Sequence, residues 1–217
     1  QIDVTAPRGE VVNNEIVAAS DVINGDCGGT ATYAINAGKE TGSFTGKLSF
    51  NHLCSEGYTI SGSASFSGHY NAQKSRFTSV TVNPNGLVRI GADPYAATGA
   101  ISYSSADASA FKANVSLHLR SGAKVYSVYP YLLEVSIGES HVRMACSGKY
   151  YHPDHGYVTV STPKVFHITP GDPRPCRGVL TLTGRNASAA RLTALTATTY
   201  RVECDANGDG RYEWSSG

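Results

Sequence analysis

The sequence is poor in charge, in methionine and in tryptophan. Only 16% of its 217 residues are charged, the formal net charge is +1, and Met and Trp occur once each. Because nucleic-acid binding needs a basic surplus, the composition argues against a nucleic-acid partner. No apolar run approaches the ~20 residues of a transmembrane helix, so no membrane span is expected.

Amphipathic helices and familiar catalytic motifs are also missing. The sequence contains neither G-x-S-x-G nor H-E-x-x-H, so it predicts neither a nucleophile elbow nor a zinc-protease helix. Glu134 and Glu203 fall in predicted strands and Asp154 falls in a predicted turn, and no pattern brings two of them together as glycosidases require. We therefore expect a protein without enzymatic activity, and a hydrolase is the less favoured alternative.

The cysteines lack the C-x-x-C spacing of zinc and redox sites. Disulfides formed in an oxidising compartment are the better interpretation. An odd count leaves one cysteine over, which allows fifteen patterns of two bridges and provides one thiol that is buried or joins two chains. The five candidates are Cys27, Cys54, Cys146, Cys176 and Cys204.

Serine, threonine and glycine are abundant, at about 30% of the chain. This balance suits strands with a hydroxyl-bearing outer face and fits an extracellular protein. The first residue is Gln1 rather than Met, which indicates a chain that was processed, tagged or trimmed, and removal of a signal peptide is one of these interpretations. We expect the protein to be secreted, on the cell surface or periplasmic.

The dominant sequence period is two, which predicts strands. In TISGSASFSGHY (59–70), apolar residues alternate with serine, threonine and histidine. Similar patterns recur between turn signals such as NPNG (83–86), and ASDVINGDCGG (19–29) is expected to be a loop. The predicted fold class is all-β, either an antiparallel sandwich or a large curved meander, with a small C-terminal β unit. The other predicted strands are 47–54, 76–82, 100–105, 113–120, 124–135, 141–150, 157–162, 179–184 and 198–204.

A domain boundary is expected in TPGDPRPCRG (169–178), where prolines and glycines interrupt the strand pattern. Residues 1–40 would form an irregular N-terminal arm with the first strands, and residues 41–170 the main antiparallel domain. Residues 171–217 would form a small β unit that a metal or a disulfide helps to fold. One continuous domain is the alternative.

The most specific motif is CDANGDGRYEW (204–214). Asp205, Asn207 and Asp209 occupy alternate positions before a glycine, and the carbonyl of Arg211 and the carboxylate of Glu213 follow, which is a pattern of hard oxygen ligands. The stretch resembles the calcium loops of EF-hands and dockerins. It departs from them at the twelfth position, which is Ser216, and in its flanks, which read as strands. The resemblance implies a structural Ca²⁺ that closes a hairpin, and the alternative is a turn without an ion.

The C-terminal segments FHITPGD, PCRGVLTLTG, RLTAL and YRVECDANGDG resemble the ends of secreted proteins and lipoproteins of Gram-negative bacteria. This resemblance spans about 50 residues and implies only the compartment.

Two further groups of side chains are weaker candidates. His152, Asp154 and His155 in KYYHPDHGYVTV could bind zinc or copper, but they share a hairpin tip and are more simply a polar turn. Tyrosines gather in the same region, and Tyr129, Tyr131 and Tyr151 could bind sugar rings or a protein. The simpler interpretation is that these tyrosines are strand formers.

The sequence therefore favours a structural or adhesive protein of the cell exterior, such as a subunit of a fibre or surface coat or a surface lipoprotein. Self-association would use the unpaired cysteine or the strand predicted at QIDVTAP (1–7), which is able to complete a neighbouring sheet. The alternative is a secreted module that binds a glycan or a small ligand.

Overall fold

The computed structural model describes residues 10–12, 16–38, 41–90, 93–172 and 174–216. The described residues form fifteen strands and one short 3-10 helix, Arg185–Ala187. The strands are β1 (Glu10–Val12), β2 (Ile16–Asn24), β3 (Thr30–Gly38), β4 (Ser43–Ser55), β5 (Tyr58–Asn71), β6 (Arg76–Ile90), β7 (Asp93–Asp107), β8 (Ala110–Ser121), β9 (Lys124–Ile137), β10 (Val142–His152), β11 (Gly156–Ile168), β12 (Pro175–Thr183), β13 (Ala189–Ala194), β14 (Tyr200–Asp205) and β15 (Trp214–Ser216). The predicted all-β fold class is confirmed.

The chain divides into two compact units. The first unit takes in residues 1–103 and 117–124, and the second takes in residues 104–116 and 125–217. The first contains β1 to β6 and the second contains most of β9 and all of β10 to β15, while β7 and β8 contribute residues to both. Within each unit, strands that follow one another in the chain pair antiparallel, which is the meander arrangement. The predicted domain boundaries near residues 40 and 170 stay predictions.

The sheet of the first unit has one apolar and one hydroxyl-rich face. Residues that lie opposite each other in adjacent strands share a face, and Phe44 lies opposite Gly68 while Phe66 lies opposite Gly46. A Cβ atom added at either glycine would collide with the facing phenyl ring. The two glycines therefore allow the rings to lie directly against the sheet. The opposite face carries Ser61, Ser63, Ser65 and Ser67, as the alternation predicts.

An aromatic row runs across the apolar face of the first unit and consists of Phe66, Phe44, Phe77 and Tyr70. The ring centroids lie 6.2 Å apart for Phe44 and Phe66, 5.4 Å for Phe44 and Phe77, and 5.3 Å for Tyr70 and Phe77. Phe44 is 6% exposed but Phe77 is 49% exposed. One end of the row thus belongs to the core and the other end is open to solvent.

The buried core of the described residues is small. No large side chain is completely buried, and the buried apolar residues are Ala31, Phe44, Ala64, Ala97, Val160, Phe166 and Ala194. Many large apolar side chains therefore stay in contact with solvent. Those most exposed are Tyr129, Tyr157, Trp214, Val22, Phe77 and Ile137.

Two local predictions are wrong. Residues 19–24 were expected in a loop, but β2 pairs with β3 along its whole length, and only residues 25–29 turn. The NPNG turn signal at 83–86 lies inside β6, which stays in register with β5 from Gly68 opposite Val80 to Tyr58 opposite Ile90. In both places pairing with a long neighbouring strand overrides the local turn preference. The strand predicted at residues 1–7 lies outside the described residues.

Candidate metal centre

The acidic loop joins the last two strands of the second unit. β14 ends at Asp205, which lies opposite Ala189 on β13, and Cys204 lies opposite Trp214 on β15. Residues 206–213 therefore close a hairpin, as the flanking strand patterns predict. Because Asp205 ends a paired strand, its position relative to the sheet is fixed.

Asp205 is the anchor of the loop. It is 3% exposed, and the N–H groups of Gly208 and Gly210 donate hydrogen bonds to its two carboxylate oxygens, at 2.7 Å and 2.9 Å. Hydrogen bonds that backbone N–H groups donate to a carboxylate are charge-assisted, and so are stronger than those between neutral groups. The two N–H groups thus compensate part of the charge of the Asp205 carboxylate, and each of its oxygens keeps a lone pair for another partner.

The other two carboxylates are exposed, and backbone groups of the same loop hold them in place. The N–H of Arg211 donates to Asp209 Oδ1 at 2.8 Å, and the N–H of Ala206 donates to Glu213 Oε2 at 3.0 Å. The second of these bonds spans seven residues and brings the end of the loop back to its start.

Asp205, Asp209 and Glu213 place one carboxylate oxygen each within 4.8 Å of one another. Three like charges so close repel one another unless a cation lies between them. Carboxylate oxygens are the ligands that hard divalent cations prefer. The triad could therefore hold a metal ion, and the backbone has already arranged its ligands.

Asn207 and Arg211, the other two predicted ligands, form hydrogen bonds with Asp209, and their role as metal ligands stays a prediction. Asn207 Oδ1 accepts the N–H of Asp209 at 2.8 Å, and the N–H of Arg211 is bound to Asp209. Both residues thus orient Asp209, and neither bond uses the carbonyl oxygen that the calcium-loop pattern assigns to Arg211. Ser216 lies in β15, three residues beyond Glu213.

A contact with the 3-10 helix fixes the middle of the loop. Gly208 has φ +79°, and a Cβ atom there would collide with the carbonyl oxygen of Asn186. Gly210 also has a positive φ, +85°, but faces open space. Glycine is thus required at 208 by both conformation and contact, and favoured at 210 by conformation alone.

An ion pair beside the loop fixes its far end. Arg191 Nε donates to Glu203 Oε2 at 2.9 Å, and the guanidinium lies 4.2 Å from the ring centroid of Tyr212. The bond to Arg191 lowers the pKa of Glu203, and the same bond raises the pKa of Arg191. Arg191 has no signal in the sequence, because only the β13–β14 register, in which it lies opposite Glu203, brings it to the loop.

The histidine turn is a different kind of cluster. The His152 and His155 rings are stacked with centroids 4.5 Å apart, and the N–H of Asp154 donates to His152 Nδ1 at 3.2 Å. Across the described ranges, the acidic triad is the one group of three or more histidine, cysteine, aspartate or glutamate side chains whose ligand atoms all lie within 4.8 Å of one another. His152, Asp154 and His155 therefore do not form a three-ligand set.

The three tyrosines named from the sequence lie in different environments. Tyr129 and Tyr151 are exposed, whereas Tyr131 is half-buried. Burial, followed by a hydrogen bond with Cys146, raises the pKa of Tyr131 to about 12. Tyr157, which lies opposite Tyr151 on β11, is also exposed. The open tyrosine surface thus contains Tyr151 and Tyr157 rather than Tyr131.

The cysteines form one disulfide, Cys27–Cys54, with a Cα–Cα distance of 5.1 Å. Cys146, Cys176 and Cys204 are free thiols, so the expectation of two bridges is wrong. These three lie on β10, β12 and β14, and each pair of these strands has at least one other strand between them. Two strand spacings are about 10 Å, which is beyond the ~7 Å between Cα atoms that a disulfide spans.

Among the described residues, no helix has the length and apolarity needed to cross a membrane. No family model, curated protein or solved structure matches the chain. The resemblances to calcium loops and to secreted proteins therefore stay predictions.

Proposed function

We propose that the chain is a non-enzymatic structural β-protein of the cell exterior that associates with further copies of itself through its sheet faces. The observation that carries the proposal is the open end of the aromatic row, where Phe77 is 49% exposed and Tyr70 is 37% exposed. Contiguous exposed apolar surface is typical of an interaction site rather than of a free monomer. A second copy would cover it.

The exterior location is supported by the disulfide between β4 and the turn after β2. Cys27–Cys54 is compatible with an oxidising compartment. The serine-rich face of β5 supports the same location, since hydroxyl groups keep a sheet soluble without high charge.

We further propose that Ca²⁺ is the ion of the acidic triad and that its role is structural. Calcium accepts six to eight oxygen ligands in flexible geometry, which suits three carboxylates supplemented by carbonyl groups and water. Asp205, Asp209 and Glu213 each accept a backbone N–H. That arrangement holds the carboxylates still, which serves binding of an ion rather than transfer of a proton.

The self-association proposal is tested by intact mass with and without reductant, together with size exclusion. We expect assemblies larger than the 22.9 kDa chain. Assemblies that survive reduction would point to the sheet faces, and those that reductant dissolves would point to Cys146, Cys176 or Cys204. A strictly monomeric protein under both conditions would contradict the proposal.

A glycan-binding module is the second candidate, and the exposed pair of Tyr151 and Tyr157 favours it. The two lie opposite each other, and Lys149 Nζ lies 5.6 Å from the ring centroid of Tyr157. Flat aromatic faces with polar tips suit sugar rings. A glycan array tests this candidate. Binding that is lost in the Tyr151→Ala variant would favour it, and the absence of binding to every glycan would eliminate it.

A further inference from the structure

Three basic side chains form a row across the second unit. Arg143 on β10 lies opposite His167 on β11, and His167 lies opposite Arg177 on β12. Opposite residues share a face of the sheet, and adjacent strands are about 4.8 Å apart. The basic row of Arg143, His167 and Arg177 therefore spans about 10 Å on one face.

Further basic groups surround this row. His141 lies beside His167 with ring centroids 4.9 Å apart. A groove of about 530 Å³ contains the basic row together with Lys164. Its remaining lining is neutral and comprises Val165, Gly178, Val179, Thr193 and Ala194.

The arginine and lysine side chains of the groove are not held in ion pairs within the described part of the chain. No described carboxylate forms an ion pair with Arg143, Lys164 or Arg177. The acidic groups of the neighbouring elements pair elsewhere, since Glu134 binds Lys112 at 2.6 Å and Asp172 binds Arg174 at 3.8 Å. Glu203 binds Arg191, and Glu139 in the β9–β10 turn forms no ion pair with the row.

Like charges placed opposite each other on neighbouring strands destabilise a sheet, so a protonated His167 between Arg143 and Arg177 would be unfavourable. Burial, followed by the nearby Arg177, His141 and Arg143, accordingly lowers the pKa of the His167 imidazole. Arg177 Nη2 lies 3.1 Å from His167 Nδ1, so it donates to an unprotonated nitrogen. The histidine thereby orients the Arg177 guanidinium while remaining neutral itself.

We propose that this groove binds a tetrahedral oxyanion group, a phosphate or a sulfate. Arginine presents a planar fork of N–H donors that matches such groups, and Lys164 adds a point charge. A bound oxyanion would neutralise the repulsion between Arg143 and Arg177. This site is separate from the acidic loop and from the aromatic row, and it does not depend on the function proposed above.

The test is isothermal titration calorimetry of the whole chain with sodium phosphate and with sodium sulfate, using sodium chloride at equal ionic strength as the reference. We expect saturable binding of at least one oxyanion. Arg143→Gln and Arg177→Gln should each weaken it about tenfold, because each removes a charge-assisted hydrogen bond. Arg185→Gln is the matched control, since it removes one exposed positive charge outside the groove.

Dextran sulfate, with neutral dextran as its control, distinguishes a free ion from an oxyanion carried on a polymer. If the chain binds dextran sulfate but neither free ion, and Arg177→Gln weakens that binding, the ligand is an oxyanion group carried on a polymer. Equal weakening of binding by Arg177→Gln and Arg185→Gln would overturn the proposal. It would also be overturned if phosphate, sulfate and dextran sulfate all failed to bind. If either arginine variant fails to fold by circular dichroism, Lys164→Gln replaces it, and unchanged binding in that variant would also overturn the proposal.

Discussion

At the scale of the residue, the carboxylates of the acidic loop differ in role: one supports the fold of the loop, and another is suited to testing for a bound ion. Asp205 is buried and accepts two backbone N–H groups, so it supports the loop whether or not an ion is bound. Replacing it would therefore destabilise the loop in either condition. Glu213 is exposed and accepts one N–H, which makes it the cleaner probe of an ion.

Glu213→Gln should lower the melting temperature in calcium and leave it unchanged or slightly higher in chelator. Glutamine keeps an acceptor for the Ala206 N–H, but it removes one of three mutually repelling charges. A cation at ~100 times its Kd contributes about 2.7 kcal/mol, which is roughly 5–10 °C for a chain of this size. Differential scanning calorimetry with calcium and with chelator measures both values. An equal loss in the two conditions would mean that no ion is bound.

His167 provides a prediction of pH dependence. Its pKa is lowered in the folded chain, so the unfolded chain takes up the proton at a higher pH, near 6.5. Stability from this group is therefore complete above about pH 6.5 and is lost as the pH falls through the folded pKa. Titration of the imidazole by NMR should give a value below 6.5, and Arg177→Gln should raise it. A value above 6.5 would contradict the surroundings described for His167.

At the scale of the element, the period-two pattern predicted most of the longer strands and the polar face of β5, but it gave no strand range for β2, β3 and β13. The serine positions of β5 follow it along the whole strand. What the sequence could not supply was the partner of each strand. Residues 19–24 and 83–86 carry local turn signals, and only the register with β3 and β5 makes them strands. The disulfide map failed for the same reason, because it depends on which strands are adjacent.

The aromatic row predicts different effects at its two ends. Phe44 is buried over Gly68 between two other rings, so Phe44→Ala should lower the free energy of unfolding by roughly 3 kcal/mol. Phe77→Ala should lower it by less than about 1 kcal/mol, since half of that side chain is already exposed. Urea denaturation of dilute protein measures both. Equal losses would mean that the row is not divided into a core end and a surface end.

At the scale of the whole molecule, most of the candidate metal centre was predictable, and the aromatic row and the basic row were not. Asp205, Asp209 and Glu213 are close in sequence, so one loop brings them together. The aromatic row and the basic row each draw residues from three strands. Such surfaces appear only when the register is known, which is why neither was predicted.

Sedimentation equilibrium over a range of protein concentrations tests self-association most directly. We predict that the average mass rises above 22.9 kDa with concentration. Phe77→Ser should reduce this rise, and Ser65→Ala on the opposite face of the same unit should leave it unchanged. A mass of 22.9 kDa at every soluble concentration, with and without reductant, would contradict the account.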